Sequence, residues 1–320
     1  FKLHVYQKML KIYKFITKRS ENLLCKLLEK RVSKGKEDAA RLSERKGLSS
    51  YKRPDGPLIW LHAASVGEAQ SSLSLIHQIL QYAPHSHVLV TTGTVTSAEL
   101  MSKNLPERAI HQFYPLDHPK WATRFLDHWQ PNLVLWIESE LWPNMLNGIK
   151  ERKTPSFLVN GRLSDRSFKR WRLFKHSINS VLSTFQAILA QTEQDAMRFR
   201  KLGAQNVHIT DNLKYSAKAL PVDDNQLKML QGHTQSRPVW LYASSHAGEE
   251  TLACRVHQTL KAAHPELLTI IVPRHPERAA EIEQACRPYN LSLVMRDSDQ
   301  RPPENDTDIY IANTLGELGL

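Results

Sequence analysis

Cysteine is scarce in this 320-residue chain, and so are the patterns that would give it a structural role. Cys25, Cys254 and Cys286 are odd in number, far apart in sequence and outside any Cys-x-x-Cys spacing, which argues against a disulfide framework or a zinc site and fits a reducing compartment. Internal repeats and low-complexity tracts are missing too. The N-terminal segment never stays apolar for the roughly 20 residues that crossing a bilayer requires, and it has no apolar core of about 7–15 residues marking a cleavable signal. His85 and His87 sit in a polar, proline-containing loop without nearby Cys or carboxylate, so no metal is expected there. What the chain does have is 41% apolar residues, enough for two cores of about 150 residues each.

A net charge of +11 would suit a nucleic-acid binder if it were spread over a fold. Instead residues 1–53 hold 16 Lys/Arg against 5 Asp/Glu, leaving 27 of each sign in the rest. Leu3, Tyr6, Met9, Leu10, Tyr13, Phe15, Ile16, Leu23, Leu24, Leu27 and Leu28 alternate there with Lys8, Lys11, Lys14, Lys18, Arg19, Lys26, Lys30 and Arg31. That pattern reads as a basic amphipathic helix laid on an anionic membrane surface, with no nucleic-acid partner. A helix packed on the body with a solvated lysine face is the plainer reading. The chain opens without Met, so residues preceding Phe1 are expected.

From residue 58 onward, short apolar runs alternate with helical periods, the signature of βα units on parallel sheets. Strands are expected at Leu58–His62, His87–Thr92, Ile110–Phe113, Leu133–Ile137, Ser156–Asn160, Ala187–Gln191 and Val207–Thr210, then at Val239–Ala243, Leu267–Val272, Leu291–Met295 and Asp308–Ile311. The organisation is a basic segment at 1–50, an α/β domain at 51–212, a polar linker at 213–237 and part of a second α/β domain at 238–320. Completing that domain takes roughly 100 more residues, so the sequence is expected to continue past Leu320.

In open parallel sheets ligands bind beyond the carboxyl ends of the strands. After the first strand comes Ala63-Ala64-Ser65-Val66-Gly67-Glu68, a tight turn into a helix. Glu68 there is either a base able to take a proton from an attacking hydroxyl or a first-turn residue complementing the helix dipole. Glu138 and Glu140 follow the fourth strand between two indoles, and Glu138 is either paired or aimed at the ligand. Arg162 follows the fifth strand and Gly161, and Lys214 closes the first domain. In the second domain Ser245, His246, Gly248 and Glu249 follow the first strand, either as a phosphate cradle or as plain capping residues. Arg274 and His275 follow the second, bringing a guanidinium to the same edge. Trp121, Trp129 and Trp171 are assigned to packing.

The ordered segments HAASVGEAQ, VTTGTVTS, FYPLDHP, ESELWPN, VNGRLSDRS, AQTEQDAMRFRKLGA, DNLKYS, SSHAGEE, PRHPER and TLGELGL resemble the 3-deoxy-D-manno-octulosonate (Kdo) transferases of lipopolysaccharide synthesis, from about residue 34 to residue 320. The resemblance implies an α/β GT-B architecture of two Rossmann-like domains. It also implies inverting, metal-independent transfer from CMP-Kdo, a substrate and not a cofactor, to the lipid A precursor at the cytoplasmic face of the inner membrane. Residue by residue it makes Glu68 the general base and Glu138 a second catalytic group. Ser65, Gly67 and Arg162 fall on the acceptor side, and Ser245, His246, Gly248, Glu249, Arg274, His275 and Lys214 on the donor side. Ser139 replaces a more usual Thr, Gly161 a common Ala, and the family's later G-G-S and H-N-x-x-E-P motifs have no counterpart up to Leu320. A relative using a UDP-sugar, or an inactive membrane-bound one, is the alternative.

Overall fold

A computed structural model describes residues 12–138, 140–216, 222–297, 299–314 and 317–320. The chain divides into two units, Phe1–Ala217 and Lys218–Leu320.

The first unit is built on a seven-stranded, wholly parallel sheet: β1 Leu58–His62, β2 His87–Thr92, β3 Ala109–Phe113, β4 Leu133–Ile137, β5 Ser156–Gly161, β6 Ala187–Ala190 and β7 Val207–Ile209. Their spatial order is β3-β2-β1-β4-β5-β6-β7. The strands read as apolar runs because both faces are covered: Leu58 and Trp60 of β1 enter one core while Leu61 enters the other. Helix α1 runs through residues 12–19 and α2 is Glu21–Val32. The connecting helices are α3 Val66–Tyr82, α4 Val95–Asn104, α5 Pro119–Trp129, α6 Pro143–Glu151, α7 Asp165–Leu173, α8 Lys175–Leu182 and α9 Glu193–Lys201. Trp121 and Trp129 are fully buried, as core-facing positions of α5 should be.

Residues 37–47, read from sequence as part of the N-terminal segment, are built into this unit along the edge strand β3. Glu44 Oε2 accepts the Phe113 N–H at 2.7 Å, Arg45 donates to the Tyr114 carbonyl, and Leu116 N–H donates to the Arg45 carbonyl at 2.9 Å. Glu44 and Arg45 are buried as a result, and an exposed row of backbone donors on β3 is avoided. Upstream, Leu28 of α2 is buried, whereas Ile12, Phe15, Ile16, Leu23 and Leu27 are exposed among the basic side chains. No helix among the described residues is long and apolar enough to cross a membrane. The expected amphipathic positions up to residue 11 lie outside the described residues.

The second unit carries a four-stranded parallel sheet, β8 Val239–Ser245, β9 Leu268–Pro273, β10 Leu293–Met295 and β11 Ile309–Ile311, in the order β10-β11-β9-β8. Its helices are α10 Asp224–Thr234, α11 Glu249–Lys261 and α12 Ala279–Cys286. The expected linker thus contains a helix, α10, capped by Asp223 Oδ1, which accepts from Asn225 N and Gln226 N. Cys254 and Cys286, distant in sequence, meet where α11 packs on α12, their thiols hydrogen-bonded at 3.1 Å; Cys25 on α2 is partly exposed.

Candidate functional site

The strand order of the first unit reverses between β1 and β4, since β1 leads outward to β2 and β4 leads the other way to β5. Crevices at such a switch point, beyond the carboxyl ends of the strands, are where open α/β sheets take ligands. Glu68 and Glu138 both follow these two strands.

Ser65 caps α3, its Oγ accepting the Glu68 N–H at 3.3 Å and donating to Glu68 Oε1 at 3.0 Å. Glu68 Oε2 accepts the Ala64 N–H at 2.7 Å. The carboxylate is 8% exposed, so one side chain both closes the turn and stands at the end of β1. The turn is seated on Gly93, whose N–H donates to the Ala64 carbonyl at 3.1 Å; a Cβ on Gly93 would stand 2.9 Å from that oxygen. Gly67 lies in the first turn of α3 with open space around it, so no close approach requires glycine there.

Glu138 is held at φ 61°, a left-handed conformation that costs a non-glycine residue energy, and strain of this kind collects at functional sites. Burial raises its carboxyl above the usual range; the Glu68 charge pushes the same way, and Lys214 and Arg162 oppose it. Glu138, Glu68, Arg162 and Lys214 therefore share one electrostatic neighbourhood. Lys214, expected on the donor side, stands in the first unit beside Glu138 because the 3-10 turn Leu213–Ser216 is anchored there: Leu213 N–H donates to Asn160 Oδ1 at 3.0 Å. Burial also raises Glu140, again with Glu68 next in weight. Ser139 lies outside the described residues.

His62, the last residue of β1, is buried, its ring centroid 4.1 Å from Tyr114 and 4.3 Å from Trp136. Burial pushes its pKa down to about 3, so this strand end carries a neutral imidazole in the core.

Sequence reading missed the basic surface of α7 and the start of α8. Arg166, Lys169, Arg170, Arg172 and Lys175 are exposed with Leu173 and Phe174, and residues 166–175 hold no acid. The signal was present as five cations in ten residues, hidden by the zero balance of residues 54–320. Trp171, assigned to packing, is partly buried against the core and with Trp142, Arg170 and Glu140 borders a cavity of about 350 Å³.

In the second unit, Ser244 at the end of β8 has φ 62° and Gly248, the N-cap of α11, has φ 89°. The expected cradle differs in one respect. Ser245 Oγ is committed to Glu250 Oε1 at 2.9 Å, because Glu250 is buried and also needs Arg278, at 3.1 Å. The His246 N–H donates to Glu249 Oε2 at 2.8 Å, so an anion using that amide displaces a carboxylate. The same bond holds Glu249 below the usual carboxylate range. Arg274 donates its N–H to the Ser245 carbonyl at 3.0 Å, which fixes the two strand ends together and leaves the guanidinium exposed. His275 is also exposed, 3.5 Å from Glu277.

Residues 40–217 match the family model of 3-deoxy-D-manno-octulosonic-acid transferase (kdotransferase). A 3-deoxy-D-manno-octulosonic acid transferase of Rickettsia felis is 39% identical over 273 residues, 85% of this chain and 58% of that protein. The one from Rickettsia bellii is 34% identical over 98% of this chain and 74% of its own length. That of Haemophilus influenzae is 34% identical over 88% and 66%. Among solved structures, the UDP-GlcNAc 2-epimerase from Neisseria meningitidis bound to UDP-GlcNAc superposes with TM-score 0.52 at 12% identity, covering 82% of this chain and 73% of that one. A glycosyltransferase from Rickettsia africae superposes with TM-score 0.51 at 12% identity, covering 82% and 70%. These likenesses establish the α/β architecture as that of GT-B glycosyltransferases and epimerases.

Proposed function

The chain belongs to the Kdo transferase family, and on that premise we propose that it transfers Kdo from CMP-Kdo to the lipid A precursor lipid IVA, with inversion and with Glu68 as the general base. The observation carrying this reading is the meeting of Glu68 and Glu138 at the switch point between β1 and β4, inside the segment that matches the family.

An acceptor hydroxyl has a pKa far above 7 and must lose its proton as it attacks the anomeric carbon of Kdo. Glu68, held by Ala64 N–H and the Ser65 hydroxyl, takes that proton, and Glu138 with Arg162 and the Gly67 turn orients the acceptor. Attack from the face opposite CMP breaks the glycosidic C–O bond, and the electron pair leaves with the CMP phosphate. That charge is received by Arg274, His275 and the amides at the start of α11, around Ser245, His246, Gly248 and Glu249 of the second unit. A guanidinium and helix-start amides suffice for this role without a metal or cofactor. Helices α1 and α2 lie on anionic lipid at the cytoplasmic face of the inner membrane, where Ile12, Phe15, Ile16, Leu23 and Leu27 meet the headgroup layer.

Incubation of the full-length protein with CMP-Kdo and lipid IVA, read by mass spectrometry, tests the reading. The expected result is a Kdo-bearing lipid and release of CMP, with Glu68→Gln abolishing product while CMP-Kdo still binds. Near-normal turnover in Glu68→Gln refutes the base assignment, and no product from the unaltered protein refutes the activity.

A further inference from the structure

Asp117, in the turn between β3 and α5, is a carboxylate the proposed reaction leaves without work. It is 8% exposed. Its Oδ1 accepts the Met145 N–H at 2.9 Å, and its Oδ2 accepts the Asn144 N–H at 3.0 Å and the Tyr13 O–H at 2.9 Å. Its carbonyl accepts Asn144 Nδ2 at 2.7 Å, and the same Nδ2 donates to Thr17 Oγ1 at 3.0 Å. Two of these partners are unpaired amides at the start of α6, which is ordinary capping supplied from a distance. Tyr13 is different. It lies 104 residues away, on the helix that also exposes Ile12, Phe15 and Ile16. Thr17 Oγ1 donates back to the Tyr13 carbonyl at 2.7 Å, and the His118 ring nitrogen Nε2 lies 3.3 Å from the Lys18 carbonyl, so α1 meets the turn at Asp117 and His118 and the start of α6 at Asn144.

The start of α6 is also the far end of the segment carrying Glu138 and Glu140. Five residues, 138–142, separate β4 from Pro143, and Trp136 Nε1 pins the Glu140 carbonyl at 2.7 Å. With Glu138 at the end of β4 and the Glu140 carbonyl pinned by Trp136, the positions of these two carboxylates depend on where the first turn of α6 is held. A buried carboxylate with three donors resists displacement, because losing any donor leaves part of its charge uncompensated.

We infer that Asp117 is a positioning residue that joins α1 to the segment 138–142, so that the helix proposed to lie on lipid also holds the acceptor-side carboxylates in place. The inference rests on the transferase reading for its consequence and on the hydrogen bonds for its existence. In it, α1 is part of the working site and not a tether alone.

The test uses full-length Tyr13→Phe, which keeps the ring and removes only the hydroxyl, beside Asp117→Asn, whose amide turns a donor toward one of the α6 amides. For Tyr13→Phe, binding to vesicles of phosphatidylglycerol and phosphatidylethanolamine should stay unchanged and so should the KM for CMP-Kdo. The kcat/KM for lipid IVA should fall about threefold to tenfold, the equivalent of one hydrogen bond, and amide exchange at Asn144 and Met145 should quicken. Asp117→Asn should lose more on both readouts. Wild-type kcat/KM and exchange in Tyr13→Phe overturn the inference, as does a loss of transfer that merely tracks a loss of vesicle binding. If the unaltered protein shows no transfer, the transferase reading fails separately, and exchange at residues 144–146 alone decides whether α1 is coupled to α6.

Discussion

Replacing Glu138 by asparagine should make the protein more stable while impairing transfer. At φ 61° the residue pays the left-handed penalty of about 1–2 kcal/mol that asparagine partly escapes. The carboxyl adds to this, because burial and then Glu68 raise its pKa above the usual value despite Lys214 and Arg162. A net gain of about 1 kcal/mol moves Tm by roughly 2–4 °C in a domain of this size. The pH dependence separates the two contributions. A raised folded pKa means that the folded protein holds the proton more tightly than the unfolded chain, whose glutamates titrate near about 4.3. Wild type therefore loses stability as pH rises from that value through the folded pKa, and the advantage of Glu138→Asn widens over the same window. Below it, only the backbone contribution remains. Calorimetric unfolding of both proteins between acidic and neutral pH measures this directly. An asparagine variant no more stable at neutral pH, or one whose advantage grows toward acid, refutes the reasoning.

Arg274→Ala should weaken CMP binding by about 1.5–3 kcal/mol, the range for a charge-assisted hydrogen bond, without harming the fold, since only the backbone N–H of Arg274 holds Ser245; unchanged affinity in titration calorimetry would move the nucleotide elsewhere. Lys14, Lys18 and Lys26 are exposed, and changing each to Gln should cost about 1 kcal/mol of anionic-vesicle affinity at low salt, with the difference fading as salt shortens the Debye length. Vesicle binding equally strong at high and low salt would instead give the main part to Phe15, Ile16 and their neighbours. Substitution is the cleaner test here, because deleting residues 1–36 would uncover the surface packed on Leu28 and break the Asp117 network.

Strands β1, β2 and β4 were legible residue for residue, because parallel strands buried on both faces leave uninterrupted apolar runs. Helix α3 begins at Val66, within the expected turn and ahead of Glu68, since its start is set by Ser65 and Glu68 bonding to each other. Residues 37–47 looked like solvated charge because their partners, on β3 and just beyond it, lie about seventy residues on; local pattern holds no trace of such pairing. Glu68, Glu138 and Arg162 could be singled out from sequence because they follow strands. The company Lys214 keeps could not, because it depends on the Asn160 side chain reaching the backbone of a turn 53 residues later. The left-handed backbone of Glu138 leaves no mark on composition at all.

The distribution of thiols has a practical consequence. Cys254 and Cys286, 0% and 2% exposed, are shielded inside the second unit, whereas Cys25 stands partly open on α2 between the exposed Leu23 and Leu27. Of these three cysteines, a maleimide fluorophore should therefore label Cys25 in preference to the buried pair. A solvatochromic dye at that position would sit on the very surface expected to meet lipid, and its emission maximum would shift toward the blue on vesicles if that surface is where the bilayer is touched.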